Sequence, residues 1–211
     1  MKTPPEQETT HWPFACLLLG ASAVAVHWIP AWGYALEDRN AALTFASAAE
    51  FWRPWSGDLT HRSLAHLILN LSLFLLLACA RERRRGSLAF LGEYLLLASF
   101  VAIGVRLCHS DWESYRGLSG VVYGLLVLYL LDSPRTSRDV FLVACIGAKT
   151  LLEVYAGGWL HWGTFLDTSL AVKFLPGSHA GGIAGGILIA WATITDPRVE
   201  HASPALHLPR R

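Results

Sequence analysis

Charged residues are scarce in this chain, since Asp, Glu, Lys and Arg make up 16% of its 211 residues. An average soluble domain carries about 25%, so this scarcity excludes an ordinary solvated domain. The formal net charge is only +1, and no basic face stands out along the chain. The composition therefore argues against a nucleic-acid partner, which would need a clustered positive surface.

Cysteine is also rare, and its spacing excludes the usual cysteine chemistry. The chain has four cysteines, and no two of them form a C-x-x-C pair. They are Cys16, Cys79, Cys108 and Cys145. Because this spacing fits neither a disulfide framework nor a zinc site, we expect buried apolar thiols and no disulfide. No metal and no organic cofactor is implied.

Hydrophobic residues make up 53% of the chain and concentrate in runs that approach the length needed to cross ~30 Å of hydrocarbon. The six candidate runs are 14–28, 64–80, 87–108, 119–131, 140–155 and 179–194. The fourth is short, so neighbouring helices must shield it from lipid. Glu6 and Glu8 precede the first run, and no cleavage site follows it, so we interpret it as a retained helix. The predicted fold is an all-α membrane protein with six transmembrane helices.

The predicted domain organisation is a six-helix core at 14–195 between cytoplasmic tails at 1–13 and 196–211. Basic residues divide unevenly between the two sides of this core. One side has ten (Lys2, Arg81, Arg83, Arg84, Arg85, Arg135, Arg138, Arg198, Arg210 and Arg211) and the other has five (Arg39, Arg53, Arg62, Arg116 and Lys173). Since cytoplasmic loops carry the excess of Lys and Arg, both termini should be cytoplasmic.

Four polar residues lie in these apolar runs at one predicted depth, on the side opposite to the termini. Ser119 begins the fourth run within Gly117-Leu118-Ser119-Gly120, and His179 begins the sixth. His66 and Asn70 lie one helical turn apart in the second run. Polar groups at membrane depth are costly and usually functional. These residue types supply the nucleophile, base and oxyanion donors of acyl transfer.

The same residues have the helical context that this chemistry requires. Ser119 starts a helix, where unpaired backbone N–H groups point at developing negative charge. Tyr123 lies one turn further on and can pack against the His179 imidazole. Small residues in the fourth and sixth runs allow the two helices to approach closely: Gly120, Gly124, Gly181, Gly182, Gly185 and Gly186. No acidic residue adjoins His179 in sequence, which favours a Ser–His dyad.

Each feature also has a structural interpretation. A membrane serine commonly bonds to its own i−4 carbonyl, a histidine at a helix end is often interfacial, and glycine pairs are often packing motifs alone. We favour the functional interpretation because the four polar residues converge where glycines permit close approach. The role of Lys149 and Glu153 has two interpretations. At i and i+4 they form a structural ion pair, or Glu153 also helps to recognise a feature of the substrate.

Taken together, these motifs resemble those of the rhomboid intramembrane serine proteases over residues 50–195. The matching motifs are Trp52-Arg53, His66-x-x-x-Asn70, Gly117-Leu118-Ser119-Gly120 with Tyr123, and His179-x-x-Gly182-x-x-x-Gly186. The resemblance implies that Ser119 is the nucleophile and His179 the general base. It implies an oxyanion hole formed by His66, Asn70 and the Ser119 amide. Trp52 and Arg53 would have a structural role in an external hairpin.

The short chain, the run Ser56-Gly57-Asp58-Leu59-Thr60-His61 and the Lys149 and Glu153 pair resemble the rhombosortase subgroup most closely. Those bacterial enzymes are associated with exported proteins that end in Gly-Gly, a hydrophobic helix and a basic tail. The resemblance implies an inner-membrane enzyme, with its site open to the periplasm, that cleaves near the C-terminal anchor of a membrane-anchored substrate. The alternatives are a general rhomboid protease and a non-proteolytic rhomboid-like chaperone; an accessory membrane partner is left open.

Overall fold

A computed structural model describes most of the predicted core. The described residues are 12–29, 31–32, 38–39, 52–108, 114–132, 136–155 and 175–195. The predicted cytoplasmic tails, 1–13 and 196–211, lie outside the described residues except for Trp12 and Pro13.

Seven α-helices have both ends within the described residues. They are α1 (Phe14–Trp28), α2 (Arg53–Ser56), α3 (Leu64–Arg85), α4 (Ser87–Cys108), α5 (Ser119–Leu131), α6 (Ser137–Tyr155) and α7 (Pro176–Thr195). A 3-10 turn, Gly57–Leu59, follows α2, and two short strands, β1 (Asp38–Arg39) and β2 (Ser114–Tyr115), pair antiparallel. Each predicted run is helical, but the count of six is not confirmed. The extra helix, α2, is a single turn, which is too short to produce a hydrophobic period.

Within the described part of the chain, two helices meet the length and hydropathy of a membrane span by themselves. They are α3 and α4, each of 22 residues, with mean hydropathies of 1.9 and 2.0 over their most apolar 18 residues. At ~1.5 Å per residue, each is ~33 Å long. The apolar helices α1 and α5 are shorter, at 15 and 13 residues. The short α5 contacts α3, α4, α6 and α7, so its neighbours shield much of its surface.

The connection between α3 and α4 differs from the predicted basic loop. Helix α3 continues through the arginine cluster to Arg85, and only Gly86, with φ of 78°, separates it from α4. Arg81 is 5% exposed and donates to Glu93 at 2.8 and 2.7 Å. Its third bond joins Asp132 beyond α5, at 2.8 Å. Arg84 and Arg85 pair with the same two carboxylates, Asp132 at 2.8 Å and Glu93 at 3.4 Å. The arginine cluster therefore joins α3 to α4 and to the residue after α5.

The cysteines only partly match the expectation of buried thiols. Cys16 is fully buried, and its Sγ lies 2.7 Å from the Sγ of half-buried Cys79. Cys108 and Cys145 are exposed on the surface of the bundle, so the expectation of burial is wrong for these two. In a helix surrounded by lipid, an apolar thiol needs no protein partner, which is why hydropathy does not distinguish the two cases.

Glycines let α7 pack closely against both α4 and α5. A Cβ on Gly186 would lie 2.7 Å from the Gly124 carbonyl oxygen, and a Cβ on Gly182 would overlap the carbonyl oxygen of Gly120. On the other side of α7, a Cβ on Gly181 would overlap the backbone of Phe100 in α4. Only glycine fits at these helix crossings. The close approach of α7 to α4 and α5 therefore fixes where the first turn of α7 lies.

Candidate active site

The segment before α5 is held in a conformation that glycine favours. Gly117 has φ of 117° and accepts a hydrogen bond from the Tyr115 hydroxyl. Its N–H donates to the Gly57 carbonyl at 3.4 Å. Burial, reinforced by the charge of Asp58, raises the pKa of Tyr115 well above its usual range, so its phenol stays a donor. These contacts fix the point at which the helix carrying Ser119 begins.

The predicted nucleophile and base are adjacent. His179 lies in the first turn of α7 and is 3% exposed. Its Nε2 is 3.2 Å from the Ser119 Oγ, although 60 residues separate the two in sequence. This distance is at the upper end of the range for proton transfer between a nucleophile and its base. The close approach of α5 and α7 at Gly120 and Gly182 makes the contact possible.

Tyr123 packs flat on the predicted base. The Tyr123 and His179 ring centroids are 4.1 Å apart, and the ring planes differ by 7°. A parallel ring at this distance restricts rotation of the imidazole about its χ2 angle. Tyr123 is therefore placed where it can hold the Nε2 edge of His179 toward Ser119.

The predicted oxyanion donors lie beside Gly117, two residues before the nucleophile. A Cβ on Gly117 would be 3.0 Å from His66 Nε2 and 3.4 Å from Asn70 Nδ2. Asn70 is 5% exposed, and its Nδ2 has no hydrogen-bond partner among the described residues. An unsatisfied buried donor costs about 1–3 kcal/mol. Such a donor is therefore positioned to gain a partner when an oxyanion forms near the helix start.

His61 is part of this cluster, but the sequence interpretation assigned it no role in the site. Its ring meets the His66 ring edge to face, with centroids 5.1 Å apart. Its Nδ1 lies 3.2 Å from the Leu59 carbonyl, so Nδ1 must carry the proton. Burial, with a smaller effect from His66, lowers the pKa of His61 to about 3. A neutral His61 therefore packs against His66 and helps to fix the position of its ring.

Trp52 and Arg53 lie at the start of α2, in the segment that leads to Gly57. Arg53 is buried, at 8% exposed, whereas Trp52 is 40% exposed. Trp55 fixes this segment on α4 by donating its indole N–H to the Ser99 hydroxyl at 2.9 Å. The segment thus carries the carbonyl that holds Gly117. The resemblance implies a structural role for Trp52 and Arg53, but no sequence motif links this segment, or Tyr115, to the loop before Ser119.

Two charged residues in the second half of α6, Lys149 and Glu153, lie next to the site. Lys149 Nζ is 2.8 Å from Glu153 Oε1, as the i and i+4 spacing predicts. Lys149 also donates to the Tyr123 hydroxyl at 3.0 Å, a contact that the sequence did not indicate. Among the described residues, no group of three or more His, Cys, Asp and Glu side chains is arranged to hold a metal ion.

A family model described as Rhomboid domain matches residues 48–196 of the chain. The match covers more than half of the chain and includes α2 to α7. All the predicted site residues lie within it, from Trp52 to Gly186.

Proposed function

This chain belongs to the rhomboid family of intramembrane serine proteases, and on that premise we propose that it cuts membrane-anchored proteins with a Ser119–His179 dyad. Membership makes it an integral membrane protein of a family that acts on membrane-protein substrates within the bilayer. The observation that carries the proposal is the 3.2 Å contact between His179 Nε2 and Ser119 Oγ.

In the proposed acylation step, Ser119 Oγ attacks the carbonyl carbon of the scissile peptide bond. The hydroxyl proton passes to His179 Nε2, and the carbonyl oxygen becomes an oxyanion. When the C–N bond breaks, His179 returns this proton to the leaving amine. Water then attacks the acyl-enzyme with His179 as base again, which frees the new carboxyl terminus and restores Ser119.

The oxyanion would be held by His66, the Asn70 amide and the backbone N–H of Ser119. The Ser119 N–H is the first of α5, and the first four N–H groups of a helix lack intrahelical partners. Asn70 Nδ2 is buried without a partner among the described residues, so it needs no rearrangement before it donates. Preorganised donors of this kind often supply the largest part of the rate enhancement.

Two finer features of the proposal concern substrate and location. The Gly57 carbonyl and the Asp58 charge act on the loop before Ser119, and they belong to the run that resembles rhombosortases. We therefore favour substrates with a Gly-Gly motif before a C-terminal hydrophobic helix and basic tail. The enzyme would lie in a bacterial inner membrane, with cytoplasmic termini and a site that opens to the periplasm. Substrate would approach sideways, past α6.

Two reporters of equal length test this proposal in native-like membranes. One has an ordinary transmembrane anchor, and the other ends in Gly-Gly, a hydrophobic helix and a basic tail. Ser119→Ala and His179→Ala should abolish cleavage. Ser72→Ala is the matched control, because within the described residues the Ser72 hydroxyl bonds only the Ile68 carbonyl, one turn earlier in α3.

The pattern of cleavage decides between the alternatives. Cleavage of the tailed reporter alone, lost in Ser119→Ala, would support a rhombosortase. Cleavage of the ordinary anchor would indicate a general rhomboid protease. Cleavage by Ser119→Ala at the parental rate would refute the mechanism. If the folded parent cuts neither reporter, a missing accessory partner or a non-proteolytic, chaperone-like role becomes the leading account.

A further inference from the structure

Helix α6 is held to the bundle by few apolar contacts. Only three of its residues are buried, namely Val143, Thr150 and Glu153, and two of these are polar. Its apolar contact with the core centres on a small cluster that includes Val143, Val127 and Ile183. Polar contacts must therefore make an unusually large contribution to where α6 packs.

The Lys149 ammonium forms such a contact, and it leads directly to the site. Lys149 donates to the Tyr123 hydroxyl at 3.0 Å, and Glu153 accepts from Lys149 at 2.8 Å. The opposite end of this chain of contacts is the Tyr123 ring stacked on His179. A hydroxyl fixed at the edge of the ring limits how far the ring can tilt or slide on the imidazole.

The lysine side chain is itself restrained, which makes it an effective tether. A free Lys side chain samples many rotamers and loses that freedom when its ammonium is held in one place. Glu153, with its side chain only 2% exposed, holds the ammonium from one turn away. The packing of α6 therefore sets the position of the Lys149 ammonium relative to the Tyr123 hydroxyl.

We propose that Lys149 is a positioning residue that couples the packing of α6 to the orientation of His179 through the Tyr123 ring. The inference rests on the proposed function, since it assumes that Ser119 and His179 react together. When α6 moves aside, the bond from Lys149 to Tyr123 breaks and the stacked pair loses its lateral restraint. The site thus reacts fastest when α6 is packed in place.

The test measures how fast a small alkyl fluorophosphonate labels the full chain in lipid nanodiscs. In that reaction the Ser119 Oγ–P bond forms, the P–F bond breaks, and the proton passes through His179 to leave with fluoride. We expect Lys149→Met to lower the maximal labelling rate constant about tenfold, or about 1.4 kcal/mol, with an unchanged half-saturating probe concentration. Lys149→Arg should keep most of the rate, because its guanidinium can still donate to Tyr123.

Tyr123→Phe makes the test specific, because it keeps the stacked ring and removes only the hydroxyl. If one bond carries the effect, Tyr123→Phe should match Lys149→Met, and the double variant should be no slower than either alone. Arg84→Met is the control, since it breaks an exposed ion pair with Asp132 and should label at the parental rate.

Several outcomes would overturn the inference. If Tyr123→Phe is labelled at the parental rate, the inference is wrong, whatever the rate of Lys149→Met. It is also wrong if the losses of the two single variants multiply in the double variant. A changed half-saturating concentration with an unchanged maximal rate would show that the pair controls access alone. If labelling of the parent does not depend on Ser119, so that Ser119→Ala is labelled equally, the proposed function itself is wrong. Parental labelling by both single variants would refute only the positioning role.

Discussion

Gly182→Ala should disable the site by separating two helices that carry its two reacting residues. A Cβ at position 182 would overlap the Gly120 carbonyl oxygen, whereas carbon and carbonyl oxygen normally stay about 3.3 Å or more apart. The Cβ position is fixed by the α7 backbone and the oxygen belongs to the α5 backbone, so no side-chain rotation relieves the overlap. Helices α5 and α7 would have to move apart by on the order of 1 Å.

That separation acts directly on the contact between Ser119 Oγ and His179 Nε2, which is already 3.2 Å long. A misplacement of ~1 Å can cost ~100-fold in rate, equivalent to about 2.7 kcal/mol at the transition state. We therefore expect Gly182→Ala to lower kcat/KM for reporter cleavage ~100-fold per folded molecule. Folding is followed separately by thermal unfolding in the same membranes.

Gly92→Ala is the matched control, because Gly92 lies inside α4 and a Cβ there has nothing within 4 Å. Alanine stabilises an exposed helix interior by up to about 1 kcal/mol relative to glycine, so this variant should fold at least as well and cleave normally. Normal cleavage by Gly182→Ala would refute the argument that close backbone contact sets the catalytic distance. Equal losses in both variants would indicate a general intolerance of alanine.

Three further predictions concern neighbouring contacts. Asn70→Ala should slow cleavage ~100-fold with little change in KM; a change in KM alone would contradict its role as an oxyanion donor. The pKa of His61 is lowered to about 3, so the unfolded chain takes up this proton first as pH falls from about 6.5. Stability should therefore fall from about pH 6.5 toward pH 3, and thermal melts of His61→Gln should lose part of that slope; an unchanged slope would refute the assignment. Glu82 accepts from the Ala15 and Cys16 N–H groups at 2.8 and 2.7 Å; Glu82→Ala should destabilise the fold by about 2 kcal/mol, and an unchanged melting temperature would show that water replaces it.

The positions of the long helices were predictable from the amino-acid sequence, because hydropathy and helix-start residues are local properties. The bounds of α1, α4 and α5 coincide with predicted runs, and α5 and α7 carry Ser119 and His179 in their first turns. Motif spacing likewise predicted that His66 and Asn70 share a helix face. The match to the Rhomboid domain supports the same family that these residues suggested.

Which of these helices touch, and at which residues, could not be predicted from the sequence and is seen only in the packed bundle. The contacts of Gly181 with Phe100 and of Lys149 with Tyr123 join different helices. The contact of Arg81 with Asp132 joins α3 to the residue after α5. Such contacts depend on how each helix is rotated about its axis and on the angle at which it crosses its neighbour. Hydrophobic runs that are apolar on all sides leave that rotation undetermined. Backbone contacts between glycines select it, and they become visible only when the helices are packed together.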